Sequence, residues 1–461
     1  MIEELRPYGS LRLSGDPWLG SIPTHWSQKR LSSLGTPRVE RNPGDLPLLS
    51  VFLDRGVIRY EEGGGQVHAP SLDLSNYQVV HPGDFVLNNQ QAWRGSVGIS
   101  KHHGIISPAY IVLRLNGDLL PEYANYLFRC PRMVDQFVAA SKGVGDIQRQ
   151  VFWPFLRRVT VPLPGDEEQR RIVRFLDYAN RQIVRAIRAK KKLIALLNEQ
   201  RQTIIHHAVT RGLDPNVRMK DSGVPWLGKI PVHWDTPLNQ RIFKEEVRSH
   251  YGRPEVQLSL SQRDGLIARH EMRERSLQTS SFENWKLVVP GDLVLNRFKA
   301  HLGVFFSATL RGIVSFHYGV FAPRVNLKSE YFELLFHTSP YRAVFAGRSN
   351  GMTVGLQNLS NQNFYSVRAV LPPNREQEEI VAYSKTSTAG IAHSIDEAQR
   401  EISLLGEYRT TLITDVVTGQ RDVRDAGARL PVDKASNMDA ERTSEEGDEG
   451  DVDDLATGEA A

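Results

Sequence analysis

The fold of this chain depends on residues 163–212, which read LPGDEEQRRIVRFLDYANRQIVRAIRAKKKLIALLNEQRQTIIHHAVTRG. A turn opens this stretch, and one long amphipathic helix follows it. The same arrangement returns 208 residues later at 371–420, which read LPPNREQEEIVAYSKTSTAGIAHSIDEAQREISLLGEYRTTLITDVVTGQ. The sequence therefore predicts two copies of one long helix.

Each helix carries an apolar stripe with the spacing of a coiled-coil seam. Its members recur at steps of four and three residues, and Ala398 completes the alternation in the second helix. Neither helix buries such a stripe alone, so we expect the two helices to pack on each other. The alternative is that each stripe packs only on its own domain. The matched positions are Ile183, Ile187, Ile194, Leu197, Ile204 and Ala208 with Ile391, Ile395, Ile402, Leu405, Leu412 and Val416.

Composition describes an ordinary globular chain with space for roughly three domains. The single cysteine, Cys130, excludes an intramolecular disulfide and a cysteine-based zinc cluster. No apolar run approaches the roughly 18 residues of a membrane span, and the N-terminus does not read as a signal peptide. We therefore expect a cytoplasmic protein.

Charge is divided unevenly along the chain. Residues 431–461 hold eleven acidic side chains against Lys434 and Arg442, which gives this segment a net charge of −9. Since the whole chain carries +4, the first 430 residues carry +13. A body so basic favours a polyanionic partner, usually nucleic acid, although a solvated basic surface without a partner is the alternative. The acidic tail has almost no large apolar residue and is expected to be disordered.

The 208-residue repeat extends over most of the chain. Residues 14–26 and 222–234 are identical at ten of thirteen positions, including both tryptophans of each segment. Pro-Gly-Asp turns at 82–84 and 290–292 each precede a short β-like run. We predict an α+β fold, a tandem duplication of a mixed, strand-rich domain followed by a long helix.

These repeats set the predicted domain boundaries. Residues 1–26 lead into a first strand-rich domain at 27–165 and a first spacer helix at 166–212. A linker at 213–234 then repeats the leading segment. The second copy consists of a domain at 235–373 and a spacer helix at 374–420, and the acidic tail occupies 421–461.

Two polar loops in each copy differ between the copies and are the candidate DNA-binding sites. Asn and Gln side chains can pair bidentately with adenine and Arg or Lys with guanine, whereas basic loop residues also position phosphates. An ordinary solvated loop is the alternative for any single residue. The candidates are Asn88, Asn89, Gln90, Gln91, Trp93, Arg94, Lys142 and Arg149 in the first copy, and Asn296, Arg297, Lys299, His301 and Arg348 in the second.

Known catalytic motifs are missing from the sequence. It contains neither a phosphate-binding G-x-x-x-x-G-K-[ST] nor a G-x-G-x-x-G after a strand, and Pro372-Pro373 lacks the Asn or Asp of an adenine-methyltransferase motif. Adjacent histidines at 102–103 and 206–207 do not form a metal site, and we expect none. Asp84 and Asp292 recur after Pro-Gly, where a turn favours Asp.

The repeated segments together resemble a known family. The PWLGxIPxHW segments, the Pro-Gly-Asp turns, GIISPAY at 104–110, the Leu-Pro and Glu-Gln signatures and the helix end at 208–212 are similar to the specificity subunit of a type I restriction-modification system. The resemblance covers nearly the whole chain up to about residue 420. The acidic tail departs from the pattern, as does Gly419 where the first copy has Arg211.

That resemblance implies a function and a set of partners. Each of two target-recognition domains would read one half of a split site in double-stranded DNA, and two antiparallel helices would act as a ruler between them. The helices would dock two methyltransferase subunits, with restriction subunits as further partners. Gln169 and Gln377 join the seam residues as candidates for docking. The chain itself would bind no cofactor, whereas the complex would use S-adenosylmethionine, and ATP with Mg for restriction.

The family's pseudo-two-fold arrangement has one more consequence. Residues 14–26 should lie near the end of the second helix, around 415–425, so that the two chain ends meet. Two other functions remain open. One is a protein-binding coiled-coil scaffold, and the other is a self-contained DNA-modifying enzyme, for which the recurring carboxylates Asp84 and Asp292 are the best candidates.

Overall fold

A computed structural model describes residues 5–53, 55–63, 70–71, 73–143, 149–249, 255–262, 265–272, 282, 284–324, 327–350 and 358–430. None of the helices in these ranges is both long enough and apolar enough to cross a membrane. The helices are α1 (Leu31–Leu34), α2 (Pro121–Arg129), α3 (Pro131–Ala139), α4 (Trp153–Leu156), α5 (Asp166–Arg211), α6 (Asn239–Ile242), α7 (Ser329–Phe336), α8 (Ser339–Arg348), α9 (Asn361–Tyr365), α10 (Asn374–Val417) and α11 (Arg424–Arg429).

The described residues divide into two compact units that share the long helices. Unit 1 holds residues 5–190 and 400–430, and unit 2 holds residues 191–399. Each unit thus combines one strand-rich domain with a part of α5 and a part of α10.

The centre of unit 1 is a four-stranded antiparallel sheet in the order β4-β11-β8-β9. Its alternating side chains divide into two layers, because Phe85 and Leu87 join Phe128 and Phe137 of α2 and α3, whereas Val86 packs on the opposite face. The strands of unit 1 are β1 (Leu11–Leu13), β2 (Ser21–Pro23), β3 (Ser27–Arg30), β4 (Gly35–Pro37), β5 (Leu49–Phe52), β6 (Gly56–Arg59), β7 (Gln78–Val80), β8 (Phe85–Asn88), β9 (Val97–Ile99), β10 (Gly104–Ile106), β11 (Tyr110–Leu115), β12 (Ser141–Lys142), β13 (Gln150–Val151) and β14 (Thr160–Leu163).

Unit 2 repeats this sheet with the same order and register. Its sheet runs β17-β24-β21-β22, and Leu293 pairs with Ser307 as Phe85 pairs with Ile99. The predicted duplication is therefore confirmed in the backbone hydrogen bonds. The strands are β15 (Met219–Asp221), β16 (Lys229–Pro231), β17 (Phe243–Glu245), β18 (Leu258–Ser261), β19 (Gly265–Ala268), β20 (Lys286–Val288), β21 (Leu293–Asn296), β22 (Phe305–Ser307), β23 (Gly312–Val314) and β24 (Tyr318–Pro323).

The two long helices pack together, as their stripes predict. In unit 1, Ile183 shares a core with Leu412 and Val416, and Ile187 and Leu405 border it. In unit 2, Ala208 of α5 and Ile380 of α10 share a core. The pairing within unit 1 is antiparallel, since Ile183 packs in the core with Val416, whereas Lys190, further along α5, pairs with Glu401, which lies earlier in α10. The other stripe residues are half-buried or buried: Ile194, Leu197, Ile204, Ile391, Ile395 and Ile402.

Each strand-rich domain holds the C-terminal end of a long helix in the same way. The Tyr123 hydroxyl of α2 donates to the carbonyl of Val417, and the Tyr331 hydroxyl of α7 donates to that of Val209, both at 3.0 Å. These bonds satisfy carbonyls that a helix end leaves unpaired. The helix that unit 1 receives is α10, and the helix that unit 2 receives is α5.

A glycine in the left-handed conformation follows each of these helix ends. Gly212 and Gly419 both have φ of 78° and pack on the buried rings of Trp234 and Trp26, respectively. Our pairing of Gly419 with Arg211 was therefore wrong, because the second copy lacks one residue before the capping glycine. The repeated tryptophans serve as the platform for the helix ends.

The expected meeting of the chain ends is confirmed within unit 1. The Gln420 side chain donates to the carbonyl of Ser21 at 2.7 Å, and the Asp422 amide donates to the carbonyl of Arg6 at 2.8 Å. The segment at 421–430 differs from the expected tail, since it includes α11 and buries Val423 and Leu430 in the core of unit 1. Apolar residues at 423, 426 and 430 give it one buried face. The rest of the predicted tail, 431–461, lies outside the described residues.

Gln169 and Gln377 lie away from the helix seam. Their side chains are 1% and 0% exposed. The Gln169 carboxamide donates to the carbonyls of Asp118 and Pro164 and accepts from the Leu120 amide, and Gln377 likewise bonds Pro372 and Lys328. The structure therefore places both residues inside the join between helix and domain. These bonds favour a structural role for both residues over a docking role.

Candidate nucleic-acid interface

The first polar loop of unit 1 is built on the end of β8. A short 3-10 turn at Ala92–Arg94 follows, and Ala92 is buried beneath it. Gly95 ends the turn at φ 99°, which favours glycine because other residues are strained there. Gln90, Gln91 and Arg94 are exposed as a result.

The second loop of unit 1 comes directly beside the first. The Val151 amide of β13 donates to the carbonyl of Asn89 at 2.9 Å. Arg94 and Arg149 both lie against the ring of Trp93, with guanidinium carbons 4.6 and 6.0 Å from its centroid. Lys142 lies 4.5 Å from the ring of Phe155, which is 38% exposed. The structure thus gathers four of the candidate residues into one basic, aromatic surface.

The two asparagines of this loop have structural bonds. Asn88 accepts from the Gln90 amide at 3.0 Å and donates to the Tyr110 hydroxyl at 3.2 Å. Asn296 in unit 2 accepts from the amides of Phe298 and Lys299, which caps the turn at Arg297–Leu302. Asn89 is half-buried. These bonds favour the structural alternative for Asn88 and Asn296.

Arg297 of unit 2 is held inside a polar network. Its guanidinium donates to the Glu245 carboxylate at 2.7 Å and to the side-chain oxygen of Asn361 at 2.8 Å. Lys286 and the Asn361 amide also bond the Glu245 carboxylate. The Arg297 side chain is only 22% exposed. Arg297 therefore stabilises the loop through these bonds. Lys299, two residues later, is exposed instead.

The remaining candidates in unit 2 lie around the same loops. The Leu359 amide donates to the carbonyl of Arg297 at 3.0 Å, the equivalent of the Val151 contact in unit 1. Arg348 is exposed at the end of α8 and donates to the Ser366 hydroxyl. His301 is half-buried, and burial lowers the pKa of its ring, which disfavours the charged form.

Exposed aromatic residues beside these loops were missed by sequence reasoning. Phe316 is 51% exposed and lies 3.8 Å from the ring of His317, which in turn contacts Phe298 at 5.5 Å. In unit 1, Phe152 is 38% exposed beside the Val151 contact. The available signal was an aromatic residue in a turn between two strands. Such side chains are typical platforms for stacking on bases or sugars.

The recurring carboxylates are engaged in paired structural bonds. Both oxygens of Asp84 accept from Arg38, at 2.8 and 3.0 Å, and Asp292 accepts from Arg248 at 2.6 and 3.2 Å. Backbone amides of the same turns, those of His81 and Val289, complete the arrangement. Both aspartates are 2% exposed. This geometry favours a structural role over a reactive one.

The cysteine and the possible metal ligands also give no sign of a reactive site in the described residues. Cys130 is buried, and burial raises the pKa of its thiol to about 11, so it is a poor nucleophile at neutral pH. Within the described ranges, no three His, Cys, Asp or Glu side chains come together as metal ligands. The candidate interface of each unit is therefore a set of paired loops with basic and aromatic side chains.

Comparison with solved structures identifies the fold. The chain matches one from a study of complex assembly and conformational transition of the type I R-M system, with TM-score 0.61 and 16% identity over 86% of this chain and 98% of that one. The resemblance to a type I specificity subunit holds at the level of the fold. A scan of protein-family models gives no match, and a search of curated proteins gives none.

Two further solved structures are more distantly similar. The HsdS subunit from Thermoanaerobacter tengcongensis is 18% identical over 87% of this chain and 98% of that one, with TM-score 0.44. The type I restriction-modification S subunit from M. genitalium is 12% identical over 89% and 98%, with TM-score 0.32.

Proposed function

We propose that this chain is the DNA-recognition subunit of a type I restriction-modification complex. Each unit would read one half of a split duplex target through its paired loops. The single observation that carries the proposal is the duplicated loop pair on a specificity-subunit fold. Its exposed basic and aromatic side chains differ between the two copies. Two scaffolds of the same topology with different loops fit two half-sites of different sequence.

The chemistry of the loops supports reading of duplex DNA. Gln90, Gln91 and Arg94 offer the amide and guanidinium groups that pair with base edges in the major groove. Lys142 and Lys299 are exposed and suit phosphate contacts, which fix orientation without sequence information. Arg149 supports the Trp93 ring, on which a base or sugar can stack.

Partner subunits would supply the chemistry. The proposal places two methyltransferase subunits, which hold S-adenosylmethionine, on the helix pair, with restriction subunits that use ATP and Mg added where present. The α5 helix has 46 residues, so it is about 69 Å long, comparable with two turns of duplex. A rod of that length suits a ruler between half-sites.

The proposal is tested by the salt dependence of duplex binding by the full chain. Binding driven by phosphate contacts weakens linearly in log K against log salt. We expect Lys142→Gln and Lys299→Gln each to lower affinity at low salt and to reduce that slope by about 1. Arg157→Gln, an exposed change outside the loops, is the matched control and should leave both quantities unchanged.

The same titration separates the alternatives. Duplex binding that is absent, or that does not respond to salt, would overturn the proposal and favour a protein-binding scaffold. Cleavage or methylation of DNA by the purified chain alone would instead favour a self-contained enzyme. The bonded state of Asp84 and Asp292 argues against that last function.

A further inference from the structure

Three aromatic rings of unit 2 touch one another at the surface. Phe316 is 51% exposed, and its ring centroid lies 3.8 Å from that of His317. The His317 ring in turn lies 5.5 Å from the ring of Phe298, which is half-buried. We call these three residues the aromatic cluster. Its outermost ring is therefore exposed to solvent and supported from the protein side by the other two.

The backbone places this cluster directly beside the first polar loop of unit 2. Two of its rings occupy the turn between β23 and β24, which the Tyr318 amide closes by donating to the carbonyl of Ser315 at 3.0 Å. Tyr318 pairs with Asn296, the last residue of β21, and the exposed Lys299 follows three residues later. A duplex whose phosphates contact Lys299 would therefore come within reach of the turn.

Unit 1 has the same turn without the rings. The positions 208 residues earlier are Pro108 and Ala109, which are both exposed, and Gln90 in place of Phe298. The turn of unit 1 also borders its loop, since the Asn89 amide donates to the carbonyl of Ala109 at 3.3 Å. Because the backbone arrangement repeats and the rings do not, the fold does not require the cluster. The rings serve a surface property of unit 2 alone.

Packing of the protein does not account for the exposed ring. In the part of the chain that the structure describes, Phe316 belongs to none of the hydrophobic cores. Its exposure exceeds the 38% of Phe152 and Phe155 in unit 1. An apolar ring that is left in water and held beside a basic loop suits a contact with the flat face of a nucleobase.

We propose that Phe316 is a wedge that stacks on a nucleobase and opens one base step in the half-site of unit 2. This inference rests on the DNA recognition proposed above. Apolar side chains inserted between bases partly unstack them, and a pyrimidine followed by a purine is the step that opens most easily. Unit 2 thus selects its sequence partly by the deformability of one step. Unit 1, with Pro108 and Ala109 at this turn, has no such wedge.

His317 and Phe298 act as positioning residues for the wedge. Their rings pack against the protein side of Phe316 and limit the orientations that its ring can adopt. A side chain that is already ordered loses less conformational entropy on binding than a free one. The cluster therefore presents one ring in a fixed place instead of three independent ones.

Selection from a pool of randomised duplexes, with the full chain and with Phe316→Ala, tests this inference. We expect the variant to keep the parent's sequence preferences except at one step in one half-site, where the preference for a pyrimidine followed by a purine disappears. Its affinity for the duplex that the parent prefers should fall about tenfold. The salt dependence should not change, because the ring neutralises no phosphate.

A fluorescent base then reports the opening of that step directly. With 2-aminopurine in place of its purine, binding of the parent chain should raise the fluorescence, because an unstacked 2-aminopurine is less quenched. Phe316→Ala should give no rise, and Phe316→Tyr, which keeps the ring, should restore it. Tm should be the same for all three proteins, since the side chain is exposed.

Leu310→Ala is the matched control. Leu310 is 43% exposed and precedes β23, whereas Phe316 follows it, so the two side chains lie at opposite ends of that strand. This variant should match the parent chain in affinity, in selected sequences and in the fluorescence rise.

Three results would overturn the inference while leaving the recognition function intact. They are salt-dependent binding that Phe316→Ala does not weaken, a loss of affinity without a change at any base step, and a loss that comes with a smaller salt slope. The last result would mean that the turn supports phosphate contacts instead of touching a base. A parent chain that binds no duplex would overturn the recognition function itself, and the wedge with it.

Discussion

Neighbouring residues of one loop have different tasks in this protein. Arg297 and Lys299 are two positions apart in the unit 2 loop, and both are basic residues of the kind that binds DNA. Arg297 is bonded to Glu245 and Asn361, whereas Lys299 is exposed. Sequence alone does not separate them, because Glu245 lies 52 residues earlier and only the folded sheet brings its carboxylate to Arg297.

We predict that Arg297→Ala lowers stability rather than only DNA affinity. The change removes a hydrogen-bond donor from the partly buried Glu245 carboxylate. Leaving such a carboxylate without its partner lowers the free energy of unfolding by about 1–3 kcal/mol. Thermal unfolding of the full chain should show a fall in Tm of several degrees, at about 2–4 °C per kcal/mol for a unit of this size. Lys299→Ala should leave Tm unchanged. A Tm that Arg297→Ala does not alter would contradict the network.

Acid should destabilise unit 2 through His337. Burial, with Arg342 and Arg201 nearby, lowers the pKa of this ring from 6.5 to about 4. The unfolded chain therefore binds a proton first as pH falls. The stability contribution of neutral His337 is complete above pH 6.5 and is lost between pH 6.5 and 4, a change of about 3 kcal/mol.

His337→Asn removes this titration and supplies the comparison. The unfolding free energy of the variant should depend less on pH between 6.5 and 4 than that of the parent chain, measured by denaturant titration at each pH. Parallel curves for the two proteins across this range would show that the ring is not buried as described. Its edge-on contact with Phe306, at 5.0 Å, is the packing that would then be in doubt.

At the scale of elements, the long helices followed from the sequence and their ends only in part. The stripe of Ile183, Leu405 and Leu412 was recognisable because it repeats at coiled-coil spacing. The capping role of Gly419 was missed, since a fixed offset of 208 passes over a one-residue deletion. Helix α11 was missed as well, because three apolar residues in an otherwise polar stretch become meaningful only when a core lies beneath them.

Within α10, the loss of stability on replacing a leucine should depend on how buried that leucine is. Leu412 is 6% exposed in the core of unit 1 and Leu404 is 62% exposed on the same helix. We expect Leu412→Ala to reduce the unfolding free energy by about 2–5 kcal/mol, from lost burial and the cavity left behind. Leu404→Ala is the matched control and should change it by less than about 0.5 kcal/mol. Equal effects of the two changes in a denaturant titration would contradict the helix packing.

At the scale of the whole molecule, duplication is the organising fact. Each unit holds the end of a long helix with one tyrosine and one tryptophan, and each presents a pair of polar loops from the same sheet. The scaffold was predictable because turns, core aromatics and the helical stripe repeat in sequence. The sequence predicted which loops are candidates but not which of their side chains are exposed. The exposure of Phe316 and the hydrogen bond that Asn296 accepts both depend on how the turns fold.

The central claim is that the two units read two half-sites independently. Genome-wide mapping of methylated adenines, in cells that express the chain with the methyltransferase subunit proposed as its partner, tests it most directly when residues 81–101 are exchanged for the equivalent loop of another specificity subunit. We predict a split motif in which one half changes and the other half and the spacing stay the same. A motif that is indifferent to the exchange, or one that changes in both halves, would contradict the account.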